Sequence, residues 1–143
     1  FAGSSTGNLL VADLPSAWNE RFEADFGRRP SRIEDGVLQD IHWPAGLIGY
    51  FPTYTLGNIF SAQIMAAAQQ SGVGTPQQIR DGEFAPLLHW LRENIHAFGR
   101  TYQSEALVEK ASGKPVSEQY LVESLYQRYG PLHGLSPEMP QLV

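Results

Sequence analysis

No cysteine occurs among the 143 residues, which rules out disulfides, thiol catalysis and cysteine-based zinc knuckles. A chain without cysteine suits a reducing compartment, and a cytoplasmic setting is the expectation. Charge is scarce too: Asp, Glu, Lys and Arg make up 17%, against roughly 25% in an average soluble domain. That deficit implies that part of the surface faces protein rather than water. Ten basic residues against fifteen acidic ones leave a net charge of −5 and no basic stripe, so nucleic acid, which is bound through clustered Lys and Arg, is not an expected partner. The group Arg28, Arg29 and Arg32 reads as a solvated connection between helices. No apolar run approaches the roughly 20 residues of a membrane span, so no membrane association is expected.

Strict two-residue alternation is also scarce, which argues against a sheet. Helical spacing recurs instead, and the expected fold is all-α, a single helical segment over residues 1–143 of about five to six helices with a Gly/aromatic loop. Leu14, Trp18, Phe22 and Phe26 return every four residues, with Asp13 as the expected N-cap, Pro15 in the first turn and Gly27 at the stop. A short helical piece is expected over 33–41, after which Trp43-Pro44 should force the chain extended. Pro52 opens a long helix whose inner face holds Leu56, Ile59, Phe60, Gln63, Ile64, Ala67 and Ala68, with Gly72 near its end. Thr75-Pro76-Gln77-Gln78 spells a capping box. A fourth helix should carry Phe84, Leu87, Leu88, Leu91, Ile95 and Phe98 to a stop at Gly99. Two shorter ones are expected over 104–112 before Gly113 and over 117–129 before Gly130-Pro131. No linker divides the chain, and the proline-rich tail 136–143 is expected to be flexible.

The stretch from Gly36 to Tyr54, GVLQDIHWPAGLIGYFPTY, is too apolar and glycine-rich for an ordinary surface connection. Glycine lets backbone approach a ligand or another segment closely, and tyrosine joins a large apolar body to a hydroxyl that seeks a partner. Together they suit the floor of a groove. Beside it, His42 supplies the side chain whose unperturbed pKa lies nearest neutrality, and either Asp40 or Gln39 stands close enough in sequence to fix its tautomer. A buried structural turn with a satisfied histidine is the competing reading.

Gly36, Gln39, Asp40, His42 and Trp43 match the five fixed positions of G-x-x-Q-D-x-H-W, and the chain here resembles the carboxypeptidase Taq family of thermostable metallocarboxypeptidases. Gly49-Tyr50-Phe51-Pro52-Thr53-Tyr54 and Leu56-Gly57-Asn58 continue the likeness. So do Asp13-Leu14-Pro15, Ala17-Trp18-Asn19-Glu20, Ala62-Gln63 and Tyr129-Gly130-Pro131-Leu132, so that it covers about residues 7–134. Pro44-Ala45 and Ile48 depart from it: many members have small hydroxyl residues at the first and an aromatic at the second.

The resemblance implies the C-terminal part of a larger enzyme that removes single residues from the free C-terminus of peptides. Members hold zinc with an H-E-x-x-H helix and a further glutamate on the N-terminal side, and no H-E-x-x-H occurs in this chain. It therefore implies zinc in the full-length enzyme and none bound by this segment, which would be inactive alone and form a groove wall against the upstream part of the same polypeptide. Hydrolysis develops negative charge on the scissile carbonyl oxygen. His42 and Tyr54 are the expected donors to it, with Tyr50, Gly46 and Gly49 against the peptide substrate. Gln39, Asp40 and Trp43 would support them by orienting His42 or the neighbouring zinc-binding helix. The arginine that holds the substrate carboxylate is expected upstream, leaving Arg80, Arg92 and Arg100 as surface residues.

The other histidines carry less. His89, Glu93 and His96 share a helical spacing that would suit a metal ion, but read better as a polar helix face, and His133 as a turn residue. The alternative of a different class is a non-catalytic helical interaction or dimerisation module, in keeping with the family's tendency to form homodimers.

Overall fold

In a computed structural model, residues 9–136 are described. They are all-helical, with six α-helices, several 3-10 turns and no strand among the described residues. The expected flexible tail, apart from Ser136, lies outside them. The chain divides into two compact units, one ending at Phe51 and the other beginning at Pro52.

The first unit is built on α1, Leu14–Phe26, in which Trp18 and Phe22 are half-buried and Phe26 is exposed. Its stop is as expected: Gly27 has φ 68° and donates its N–H to the Glu23 carbonyl, a conformation that costs glycine little. Its start is not. Asp13 makes no side-chain cap and is itself helical, because a 3-10 turn over Val11–Asp13 runs directly into α1. The expected helix over 33–41 is likewise replaced by two 3-10 turns, Ile33–Asp35 and Val37–Gln39, that meet at Gly36. Gly36 is buried, and a Cβ there would come within 2.8 Å of Asn19 Oδ1 on α1, so the close approach selects glycine. Nor does Pro44 force an extended chain. Trp43–Ala45 forms a fourth 3-10 turn, closed by N–H bonds from Ala45 and Leu47 to the His42 carbonyl and from Gly46 to that of Trp43. Three turn hydrogen bonds outweigh the pre-proline bias.

In the second unit the long helix α2, Pro52–Gln70, packs against α4 (Ala85–Asn94), α5 (Ser104–Ser112) and α6 (Gln119–Tyr129). Of its expected inner face, Gln63, Ala67 and Ala68 are buried, Ile59, Phe60 and Ile64 half-buried, and Leu56 exposed. Burial thus grows toward the C-terminal half. Thr75 and Gln78 form the expected reciprocal capping box at the start of α3, Pro76–Arg80. Gly74 just before it is buried at φ 67°, against Leu87 and Met65.

The fourth helix ends earlier than its apolar spacing implied. Asn94 turns its side-chain amide back to the Trp90 carbonyl at 2.9 Å, a local bond that competes with helix continuation. Ile95 then leaves the helical region, and a separate 3-10 turn, His96–Phe98, leads to Gly99. The half-buried face is Leu87, Trp90, Leu91, Asn94 and Ile95, while Leu88 and Phe84 are exposed. α6 begins at Gln119 rather than Ser117; the Ser117 N–H goes to Gln63 Oε1 at 3.0 Å, and its Oγ accepts the Gln119 N–H at 3.2 Å.

Candidate functional site

The first unit brings the polar half of the Gly36–Tyr54 stretch to one place. Asp40, 6% exposed, follows the Val37–Gln39 turn in an extended conformation that aims its carboxylate forward along the chain. Asp40 Oδ1 accepts the His42 main-chain N–H at 3.0 Å and lies 2.8 Å from His42 Nδ1. The imidazole is thus held both through its backbone and through its ring. Its side chain is 14% exposed, with the rings of Tyr50 and Phe51 at 5.1 and 5.7 Å between centroids. The sequence left open which neighbour would orient His42; it is Asp40. Gln39 donates its amide to the Glu34 carbonyl and so ties the two 3-10 turns together.

Trp43 packs edge-on against Trp18 of α1, with ring centroids 6.5 Å apart. This contact anchors the turn that carries His42 onto the helix, and Asn19 against Gly36 does the same for the turn before it. Neither α1 residue was singled out as belonging to a site, although Trp18-Asn19 stands in a segment that shares the family likeness. Gly46 and Gly49 have φ values of 73° and 77° and nothing near a built Cβ. Their conformation, favourable to glycine, is needed for the turns themselves. Tyr50 is 43% exposed. Tyr54 belongs to the first turn of α2 in the second unit and is 53% exposed.

Next to Gln39, the surface dips into a cavity lined by Phe22, Arg28, Arg29, Asp35 and Gln39. Arg29 pairs with Glu23 at 3.0 Å and Arg32 with Asp35 through two bonds of 2.8 Å. The Arg32 hydrogen bond holds the Asp35 carboxyl below its usual range, and that bond raises Arg32 in turn.

His89 Nε2 meets Glu93 Oε1 at 3.2 Å on the exposed side of α4. Among the described residues no group of three or more His, Cys, Asp or Glu side chains is placed to hold a metal ion. The donors here therefore do not fit a zinc centre, and the described residues give zinc no ligand set of the kind it requires. His133 lies in the 3-10 turn Gly130–His133 that follows α6. No described helix is long and apolar enough to cross a membrane.

The family model described as carboxypeptidase Taq (M32) metallopeptidase matches residues 5–129. The chain belongs to this family. The thermostable carboxypeptidase 1 of Thermus thermophilus is 41% identical over 128 residues, 90% of this chain and 25% of that protein. Carboxypeptidase 1 of Bacillus subtilis is 33% identical over 127 residues, covering 89% and 25%. Among solved structures, the M32 carboxypeptidase of Deinococcus radiodurans superposes with a TM-score of 0.84 at 37% identity, covering 94% of this chain and 27% of that one. This carboxypeptidase Taq family chain thus spans about a quarter of the length of the relatives it matches. The family expectation read from Gly36 to Trp43 is met over residues 5–129, and the all-helical fold is met among the described residues.

Proposed function

We propose that this chain forms the C-terminal portion of a zinc-dependent carboxypeptidase that releases C-terminal residues from peptides. The relatives it resembles are carboxypeptidases, and its described residues offer a held imidazole but no ligand set for the metal. Zinc and the arginine for the substrate carboxylate would come from the upstream part of the same polypeptide. The present chain would supply one wall of the peptide groove and donors to the scissile carbonyl oxygen, and would be inactive alone. A cytoplasmic location fits the absence of cysteine.

The observation that carries the reading is the Asp40–His42 pair, at 2.8 Å inside the segment that bears the family motif. A preorganised donor gains most when it need not reorient as charge develops, and a ring tied through both Nδ1 and its backbone N–H is preorganised. Tyr54 is the second donor. Tyr50 beside the ring, with Gly46 and Gly49 in the turns before it, would face the peptide, while Gln39 and Trp43 hold the two turns that place Asp40 and His42. In the complete enzyme, His42→Ala should lower kcat by about 100-fold or more with little change in melting temperature. Loss of folding with undiminished activity per folded molecule would defeat the proposal.

One observation favours a second reading, an interaction or homodimerisation unit. Ile41 and Ile48 are 74% and 83% exposed, flanking the histidine with apolar surface. Light scattering of wild type against an Ile41→Ser, Ile48→Ser variant decides it: a dimer lost in the variant supports that reading, and an unchanged state rejects it.

A further inference from the structure

We infer that Asp40 fixes a proton on His42 Nδ1, so that His42 works through Nε2 and donates from it only as an imidazolium. The inference rests on the reading of His42 as a donor at the scissile carbonyl, and names Asp40 as its positioning residue.

Two distances assign the proton. Asp40 Oδ1 lies 3.0 Å from the His42 main-chain nitrogen and 2.8 Å from Nδ1. A main-chain N–H only donates, so Oδ1 accepts there, and a carboxylate has no hydrogen of its own to offer the ring. Nδ1 therefore carries its hydrogen. A neutral imidazole holds a hydrogen on one nitrogen alone, which leaves a lone pair on Nε2. A lone pair turned toward an oxygen gaining negative charge repels it. To donate, Nε2 needs the second proton, and the charge of that imidazolium is balanced by the carboxylate at 2.8 Å. The groups packed against the ring include this carboxylate, the phenol ring of Tyr50 and the apolar ring of Phe51. The chemistry that follows is specific. His42 in its neutral form would accept a hydrogen bond, as from a peptide N–H, and in its charged form would donate to the carbonyl oxygen.

Long-range proton–nitrogen correlation spectra of the 143-residue chain, labelled with ¹⁵N at histidine, read the tautomer directly. With the rings neutral, His42 should show a protonated Nδ1 and a bare Nε2. His89, whose Nε2 faces Glu93, serves as the opposite reference. Asp40→Asn keeps an acceptor oxygen and should retain the Nδ1–H form, whereas Asp40→Ala should lose it. In the complete enzyme, kcat/KM should fall about tenfold per pH unit once the ring loses its second proton. A hydrogen on Nε2 in neutral wild-type His42 would overturn the assignment whatever the activity. Activity that rises as the imidazolium disappears would overturn the donor form. An Nδ1–H ring together with undiminished kcat in His42→Ala would overturn instead the donor reading on which the inference rests.

Discussion

Gln63 and Ser117 are 54 positions apart in the chain, yet Gln63 Oε1 accepts the Ser117 main-chain N–H at 3.0 Å. The same side chain, fully buried, turns its amide nitrogen toward Ser112 Oγ, the Lys114 carbonyl and the Pro115 carbonyl at 2.9 to 3.1 Å. One residue of α2 therefore meets three main-chain groups of the connection between α5 and α6, the Lys114 and Pro115 carbonyls and the Ser117 N–H. Gln63 is itself buried, and a buried polar group left without a partner costs more than the bond it made.

Replacing Gln63 by Leu keeps the volume and deletes every one of these bonds. The expected cost is about 3 kcal/mol, read by chemical denaturation of the 143-residue chain. A loss under about 1 kcal/mol would mean that the connection finds other partners and that the hub is not essential to it.

Gly36→Ala tests the approach of α1 to the turn before Asp40. Its new methyl would press on Asn19 Oδ1, the tip of a side chain with some freedom to turn, so a modest penalty of about 1 kcal/mol is expected. Adding Asn19→Ala removes the obstacle. The double variant should recover stability relative to Gly36→Ala, and a strictly additive cycle would show that the two residues do not meet.

Tyr54→Phe deletes one hydroxyl and keeps the ring. In the complete enzyme kcat should drop by about 10-fold to 100-fold with KM little altered, the pattern of an interaction made in the transition state alone. A rise in KM at constant kcat would place the hydroxyl in ground-state binding instead.

The Arg32–Asp35 pair gives stability a defined pH dependence. The Arg32 hydrogen bond lowers the folded-state pKa of Asp35, so its contribution is present above the unfolded-state value and is lost as pH falls through the lowered one. Both side chains are exposed, and solvent and salt screen such pairs strongly. Asp35→Asn should flatten a small acid-side decline in melting temperature, and added salt should shrink the difference from wild type. A steeper decline in the variant would reverse the sign.

Most of the helices could be read from the chain because their signals are local. Gly27 and Gly113 stop helices through a left-handed backbone, and Thr75 and Gln78 cap one through bonds spanning three residues. One error falls where a side chain competes with the ladder: Asn94 ends α4 ahead of its apolar pattern. Another falls where a residue distant in sequence holds the chain ahead of a helix, as Gln63 does at Ser117. Apolar spacing grouped Leu88, which is exposed, with Leu87 and Leu91 and passed over Trp90, which is half-buried.

The candidate site divides in the same way. Asp40 and His42 are two positions apart, so a bond between them lies within what sequence can propose, and the motif around them was enough to identify the family. That Asp40 rather than Gln39 holds the ring was decided by the turn at Gly36, which sends Gln39 back to Glu34 and leaves Asp40 pointing at His42. The linear sequence determined residue chemistry, helical periodicity and family, because these are properties of neighbours. Only the tertiary structure decided which polar atoms meet, as with Gln63 at the connection between α5 and α6, because burial makes each buried donor and acceptor find a partner and distant segments supply most of them.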